Sequence, residues 1–361
     1  MKLGLHISDF TWQGGAPELR FKLADIAKRG EDGGVDRISV MDHVWQIAHI
    51  GPPEHEMLEA YTALGFLAAK TERVKLLTMV TAVVYREPGL LAKAMTTLDV
   101  LSGGRAILGI GAAWNAEESA GLGLLFPPLA ERFERLEEAI LICRQMWSGD
   151  EAAFSGKYYR LARTLNSPQA LSRPHPPILI GGSGEKKTLK LVARYADACN
   201  IAAYDLPEAA RKLEVLRAHC ATEGREYDEI EKTAQTRFDL GLGGENVNRT
   251  IEQVHALAEA GFSVAHGTLI NVSVPGQVDL LVEQVLPAIE KFQPHRPHRP
   301  HRPHQAHRPH QPHQTPTPHR PHQGGPTAHH TAMITKTFVS TKDFCRIGAK
   351  SLRDHATKGN L

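Results

Sequence analysis

Apolar residues in the first 292 positions follow two alternating rhythms. Short, β-branched runs predict strands at 2–8 (KLGLHIS), 36–42 (DRISVMD), 74–83 (VKLLTMVTAV), 105–111 (RAILGIG), 176–182 (PPILIGG), 197–202 (DACNIA), 232–242 (KTAQTRFDLGL) and 263–272 (SVAHGTLINV). Between them apolar residues return every three or four positions, as at Leu136, Ile140, Cys143 and Trp147. This spacing predicts helices over 17–34, 56–72, 88–103, 129–149, 185–196, 206–224, 246–261 and 278–292, several opening at Pro, Asp or Glu and closing at Gly. Eight alternating strand and helix units in one domain predict an α/β fold, a (β/α)8 TIM barrel. A doubly wound open sheet is the alternative, but no GxGxxG follows the first strand. Two connections exceed what a plain barrel needs, residues 111–128 after the fourth strand and 150–177 before the fifth. The first leaves the catalytic face. The second starts from the opposite face and reaches the chemistry only by folding back over the barrel.

The rhythm stops near residue 293. The following tract, PHRPHRPHRPHQAHRPHQPHQ and onward, carries twelve of the 20 histidines and ten of the 23 prolines beyond residue 293. Proline at every third position forbids helix and sheet ladders and leaves almost nothing apolar to bury, and the last stretch, from Ala332, has some apolar content but no sustained period, so residues 293–361 are expected to form a disordered tail beside a 1–292 barrel domain. A metal-binding tract and a bland repeat expansion both fit the composition, and the second is favoured.

Bulk numbers remove other classes. A formal net charge of +2 in 361 residues supplies no basic field for nucleic acid. No apolar run approaches the roughly 18 residues of a membrane span, and the N-terminus lacks a signal-peptide core. The four cysteines are scattered, without zinc or redox spacing, which fits reduced thiols and a cytoplasmic location.

Chemistry in a TIM barrel sits at the C-terminal strand ends. Read in order, these carry His6 to Asp9, then Met41-Asp42-His43, then Thr78, Met79, Val80 and Thr81, then the GIGAAWNAEE segment, the Gly181-Gly182-Ser183-Gly184 turn, and Asn200. No Schiff-base lysine, HxH, HExxH or GxSxG is present, so no metal site is expected. A face this short of reactive groups points to a bound organic cofactor. The Asp42-His43 pair reads equally as an acid/base pair or as a helix cap with an exposed His. The 181–184 turn suits an anion on free amides at a helix N-terminus, helped by Ser183 and Thr188, or a tight turn alone. The GIGAAWNAEE segment, from Gly109 and Gly111 to Ala112 and Ala113, is small where backbone approaches something flat or bulky, or merely packs strand to loop, and Glu117 and Glu118 read as the start of a helix turn.

Together, VMDHVWQ (40–46), residues 80–118 with LDVLSGGRAILGIGAAW at their heart, RFERLEEAILICRQMWSG (132–149) and residues 176–200 resemble the luciferase-like monooxygenase family. The resemblance is to its branch that uses the deazaflavin coenzyme F420, and it covers residues 1–292. It implies an oxidoreductase that moves a hydride between F420 and a small organic substrate. It also implies a non-proline cis peptide under the ring at Thr78–Met79, give or take one residue. Asp42, Thr78, Met79 and Thr81 match positions at the ring, and Ala112 and Ala113 match the backbone approach. Gly181, Gly182, Ser183 and Gly184 match the phosphate site. His43 matches the histidine beside the hydride-transfer centre. Sugar-phosphate members carry a carboxylate where this chain has Trp114, which would narrow the pocket and favour an apolar or aromatic substrate. An FMN-dependent monooxygenase and a non-catalytic deazaflavin or flavin binder are the alternatives, and a homodimer is the assembly the resemblance implies.

Overall fold

β-Branched and leucine-rich runs buried on both faces make the eight strands of a closed parallel barrel. The computed structural model describes residues 1–290 and 292; the expectations for the His- and Pro-rich segment lie outside the described residues. The barrel strands are β1 (Lys2–Ile7), β2 (Arg37–Val40), β3 (Lys75–Thr78), β4 (Ala106–Gly111), β5 (Ile178–Gly181), β6 (Ala198–Ala202), β7 (Glu231–Phe238) and β8 (Val264–Leu269). Each pairs in parallel with the next, and β8 closes on β1 with Leu3 opposite Ala265. All eight strands coincide with the runs read from the sequence.

The helices between them are α1 (Ala16–Asp32), α2 (Ala60–Ala68), α3 (Pro88–Ser102), α4 (Leu129–Ser148), α5 (Thr188–Tyr195), α6 (Leu206–Glu223) and α7 (Val247–Glu259). Their ends follow local chemistry. The Glu59 side chain caps α2 by accepting from Thr62 N at 2.7 Å, and Asp205 caps α6 by accepting from Glu208 N at 3.0 Å. Gly103, Gly149 and Gly224 end α3, α4 and α6 at φ 72°, 79° and 69°, where a side chain would be strained. The last helical segment is not the single helix that its spacing predicts. Helical turns at Gln277–Leu280 and Leu286–Ile289 flank a wide π turn over Leu281–Val285. Pro287, which has no N–H to donate, breaks the regular ladder there.

Outward-facing residues such as Leu5, Ile38, Leu76, Leu108, Ile180 and Ile201 pack under the helices in one continuous core. Inside the barrel, Leu77, Met79, Ile107, Leu179 and Ala198 form a second, smaller cluster on β3–β6. The opposite interior wall is polar, with His6, Ser39, Thr233 and His266 all buried. Arg37, 1% exposed, plugs the lower end by donating to Asp36 at 2.6 Å and to both Glu231 oxygens at 2.6 and 3.1 Å. Burial alone would lower its pKa, but the two carboxylates outweigh this and raise it. Cys143, Cys199 and Cys220 are free and buried, and burial pushes the Cys143 and Cys199 thiols up to about 12. Among the described residues no helix is long and apolar enough to cross a membrane.

The 150–177 connection does not fold back over the barrel mouth. A small antiparallel hairpin, Phe154–Ser155 with Arg160–Leu161, is held to α4 by the Glu138 carboxylate, which accepts from the amides of Lys157, Tyr158 and Tyr159. Asp99 of α3 accepts from the Leu171 and Ser172 amides in the same way. Removing Arg37 leaves Asp36 and Glu231 without their partner, but both carboxylates are partly exposed, so Arg37→Ala is expected to lower the unfolding free energy in urea by roughly 2–3 kcal/mol, less than a fully buried pair would cost. A loss below about 1 kcal/mol would mean that the plug contributes no more than an exposed pair.

Candidate active site

The strand ends open onto a cleft with two lobes, of about 560 and 650 Å3, which share His6, Met41, Ile47, His49, Tyr204 and Gln235. The first lobe is floored by the bend after β3. There the Met79–Val80 peptide is cis, one residue beyond Thr78–Met79 and inside the range given by the resemblance. The chain then rejoins the sheet, with Thr81 opposite Ile110 and Ala82 opposite Gly111 of β4. The bend explains why Gly109, Gly111 and Gly181 are bare. A Cβ on Gly111 would lie 2.8 Å from a Val80 methyl, one on Gly181 2.6 Å from the other, and one on Gly109 2.0 Å from the Thr78 carbonyl oxygen. These glycines therefore make room for the bend itself. Beneath it, the Thr78 hydroxyl donates to Gly109 O at 2.8 Å and lies 2.6 Å from the Thr81 hydroxyl, which is also 2.7 Å from the Tyr61 OH.

Asp42 stands at the end of β2 with its two oxygens in different situations. Oδ2 accepts from Ala82 N at 3.0 Å and from Arg86 at 2.7 Å. Oδ1 is buried and has no hydrogen-bond partner among the described residues. Burial pushes this carboxyl above the ordinary range, and Arg86 only partly draws it back. Asp42 lines the first lobe, and a buried acceptor without a partner there suits a donor from whatever fills it.

His43 is tied to Glu118, which the sequence offers only as the start of a helix turn. Its Nδ1 lies 2.6 Å from Glu118 Oε2, which also accepts from the Tyr85 OH at 2.6 Å. Glu118 Oε1 accepts from the amides of Val44 at 2.5 Å and Trp45 at 3.0 Å. The Glu118 side chain is 0% exposed. Burial would raise its pKa, but the hydrogen bonds from His43, Tyr85, Trp45 and Val44 outweigh it and hold the carboxylate below its usual range. Glu118 belongs to a short helix, Ala116–Gly121, whose start is capped by Asn115 Oδ1 accepting from Glu118 N at 3.3 Å. Asn-x-x-Glu is the spacing of a capping box, which is why the sequence shows only a helix start. Here the carboxylate turns away from its own helix to the loop after β2. Trp45 packs so tightly on Gly121 that a Cβ there would lie 2.0 Å from the ring.

Asp42, His43, Met79, Thr81, Ala112, Ala113, Trp114, Gly181, Gly182, Gly184 and Thr188 all line the first lobe. Thr78 and Ser183 do not: the Thr78 hydroxyl is consumed beneath the bend, and Ser183 lies outside the lining. Ala113 has a left-handed backbone, φ 61°, that sets Trp114 at the rim, 59% exposed and edge-on to His43 with centroids 5.3 Å apart. In the 181–184 turn the Gly182 amide is spent on Asn200 O at 3.2 Å, which leaves the following amides and the Thr188 hydroxyl to meet an anion. The second lobe adds Arg237, Asn271 and Ser273, which sequence reasoning also missed. Their strand ends were read only as strands, because a lone polar residue in a β-branched run carries no local signature. Among the described residues no group of three or more His, Cys, Asp or Glu is placed to hold a metal ion.

The family model for luciferase-like monooxygenases matches residues 1–348. The chain belongs to that family. Among its relatives, an F420-dependent glucose-6-phosphate dehydrogenase of Kineococcus radiotolerans is 38% identical over 171 residues, 46% of this chain and 48% of the relative. The match thus spans about half of that relative's length. An F420-dependent secondary alcohol dehydrogenase, solved with an F420–acetone adduct, superposes with a TM-score of 0.67 at 18% identity, covering 80% of this chain and 98% of that one. A riboflavin lyase solved with modified FMN and riboflavin superposes at 0.68 with 15% identity, covering 82% and 94%. At these identities the two solved structures speak for the luciferase-like fold alone.

The depressed Glu118 pKa has a consequence for the stability of this luciferase-like barrel. A carboxylate held below its unfolded value contributes stability that is present above the ordinary Glu pKa of about 4.3 and is lost as pH falls through the folded value. The difference in unfolding free energy between the wild type and Glu118→Gln is therefore expected to be larger at pH 7 than at about pH 3. A difference that does not change with pH would show that the carboxylate is not held in this way.

Proposed function

We propose that the first lobe binds coenzyme F420 and that the protein is an F420-dependent oxidoreductase acting on a small organic substrate. The observation that carries this reading is Asp42 Oδ1, a buried acceptor without a partner beside the cis bend at Met79–Val80. A flat ring bearing an N–H donor, seated on that bend, would satisfy it. A bound deazaflavin supplies a carbon that gives or takes a hydride. The protein's own groups do the rest. Ala112 and Ala113 admit the ring edge close to backbone, and the amides after Gly182 with the Thr188 hydroxyl meet the coenzyme phosphate. His43 moves a proton at the substrate, and Trp114 closes the rim over an apolar part of it. The adjoining lobe leaves room for the substrate next to the ring. The name of the relative supports F420, and the solved alcohol dehydrogenase is an instance of this fold holding it.

The second reading is an FMN-dependent monooxygenase. The same amides would hold an FMN phosphate, and a neighbour of equal likeness carries modified FMN. Equilibrium binding of F420 and of FMN, followed in parallel by cofactor fluorescence, separates the two. F420 is expected to bind at least about tenfold more tightly, a difference of about 1.4 kcal/mol. Tighter FMN binding would favour the monooxygenase, and binding of neither would remove both readings. Asp42→Asn sharpens the test. Its amide oxygen must stay with Ala82 N and Arg86, both donors, which puts an NH2 where Oδ1 was. Two donors then face each other, and F420 affinity is expected to fall roughly tenfold or more; unchanged affinity would place the ring elsewhere.

A further inference from the structure

We propose that Glu118 is a positioning residue that fixes the tautomer of His43, so that the imidazole carries its proton on Nδ1 and presents a bare Nε2 to the cleft. The tautomer follows from the geometry alone, while its use in proton transfer rests on the reading of His43 given above.

An ionised carboxylate only accepts hydrogen bonds. Glu118 is held in that form by four donors, two on each oxygen. The Nδ1 atom 2.6 Å from Oε2 must therefore carry hydrogen, and in the neutral imidazole the other ring nitrogen is then left with its lone pair. Nε2 lies on the opposite edge of a ring that lines the first lobe beside Trp114, with no partner among the described residues. The carboxylate also gathers three strand-end segments, since its donors come from the loop after β2 and the segment after β3 while Glu118 itself follows β4. Any movement of the Ala116–Gly121 helix is thus felt at His43.

Glu118→Gln separates this role from a structural one. The amides of Val44 and Trp45 need an acceptor, so the new carbonyl oxygen stays with them. The NH2 then faces Nδ1, which can only accept from it, and the proton is driven to Nε2. The loop is kept and the tautomer inverts.

The experiment is long-range proton–nitrogen correlation NMR of the histidine rings in the full-length 15N-labelled protein without cofactor, at a pH where imidazole is neutral. His43→Gln identifies the signal by its loss. The expected result is the Nδ1–H form in the wild type and the Nε2–H form in Glu118→Gln. Tyr85→Phe, which removes one donor but not the His43 bond, is expected to keep the wild-type form. An Nε2–H wild type, or a Glu118→Gln variant that stays Nδ1–H, overturns the proposal. In turnover with F420, Glu118→Gln is expected to lower kcat roughly 100-fold or more while F420 affinity stays unchanged. Undiminished kcat in a variant with the inverted tautomer would overturn the catalytic use of the pair. A failure of F420 to bind would leave the spectra unaffected, so the two readings fail separately.

Discussion

Closure of the parallel sheet, with β8 hydrogen-bonded back to β1, is the constraint on which the rest of this molecule depends. Once the ladder is closed, the eight C-terminal strand ends converge on one mouth, and residues as distant in sequence as His6, Asp42, Trp114, Gly182 and Gln235 share one cleft. Closure also divides the interior. The apolar half on β3–β6 supports the bend at Met79–Val80, while the polar half on the other strands floors the junction of the two lobes. His6 sits at that junction, bonded to Ser39 and lowered by burial to about 4, so it stays neutral across the physiological range.

Two buried carboxylates, Asp42 in the lining of the first lobe and Glu118 behind His43, are treated in opposite ways. Asp42 is buried with one strong partner and one bare oxygen, and its pKa is pushed up. Glu118 is buried with every lone-pair direction used, and its pKa is pushed down. Desolvation acts on both; the count of donors decides the sign. An under-satisfied carboxylate is suited to receive a ligand, whereas a saturated one is suited to hold a neighbour still. The lobe thus joins a receptive wall at Asp42 to a fixed one at His43, and the assignment of a ring to the first and a proton-handling group to the second follows from that asymmetry.

Much of this was legible in the sequence, for physical reasons that differ from element to element. The eight strands were readable because parallel barrel strands are buried on both faces and appear as continuous apolar runs. The cleft residues at Asp42, His43, Ala112 and the 181–184 turn were readable because the fold fixes which end of a strand bears chemistry. Glu118 was not readable, because its spacing from Asn115 is also that of an ordinary helix start and its true partners lie 33 to 75 residues away. The bareness of Gly109, Gly111 and Gly181 read as room for a ligand, whereas much of that room is taken by Thr78 and Val80. The course of residues 150–177 was open for a similar reason. Glu138 and Asp99 pin it to the outer helices through backbone amides, contacts that leave no periodic trace.

The most direct measurement is the crystal structure of the protein loaded with F420. The account predicts the deazaflavin on the Met79–Val80 bend with a ring N–H within hydrogen-bond distance of Asp42 Oδ1, His43 Nε2 facing the space beside the ring, and the phosphate on the amides after Gly182. A ring lodged in the second lobe against Arg237 and Asn271, or a phosphate away from the 181–184 turn, would contradict it.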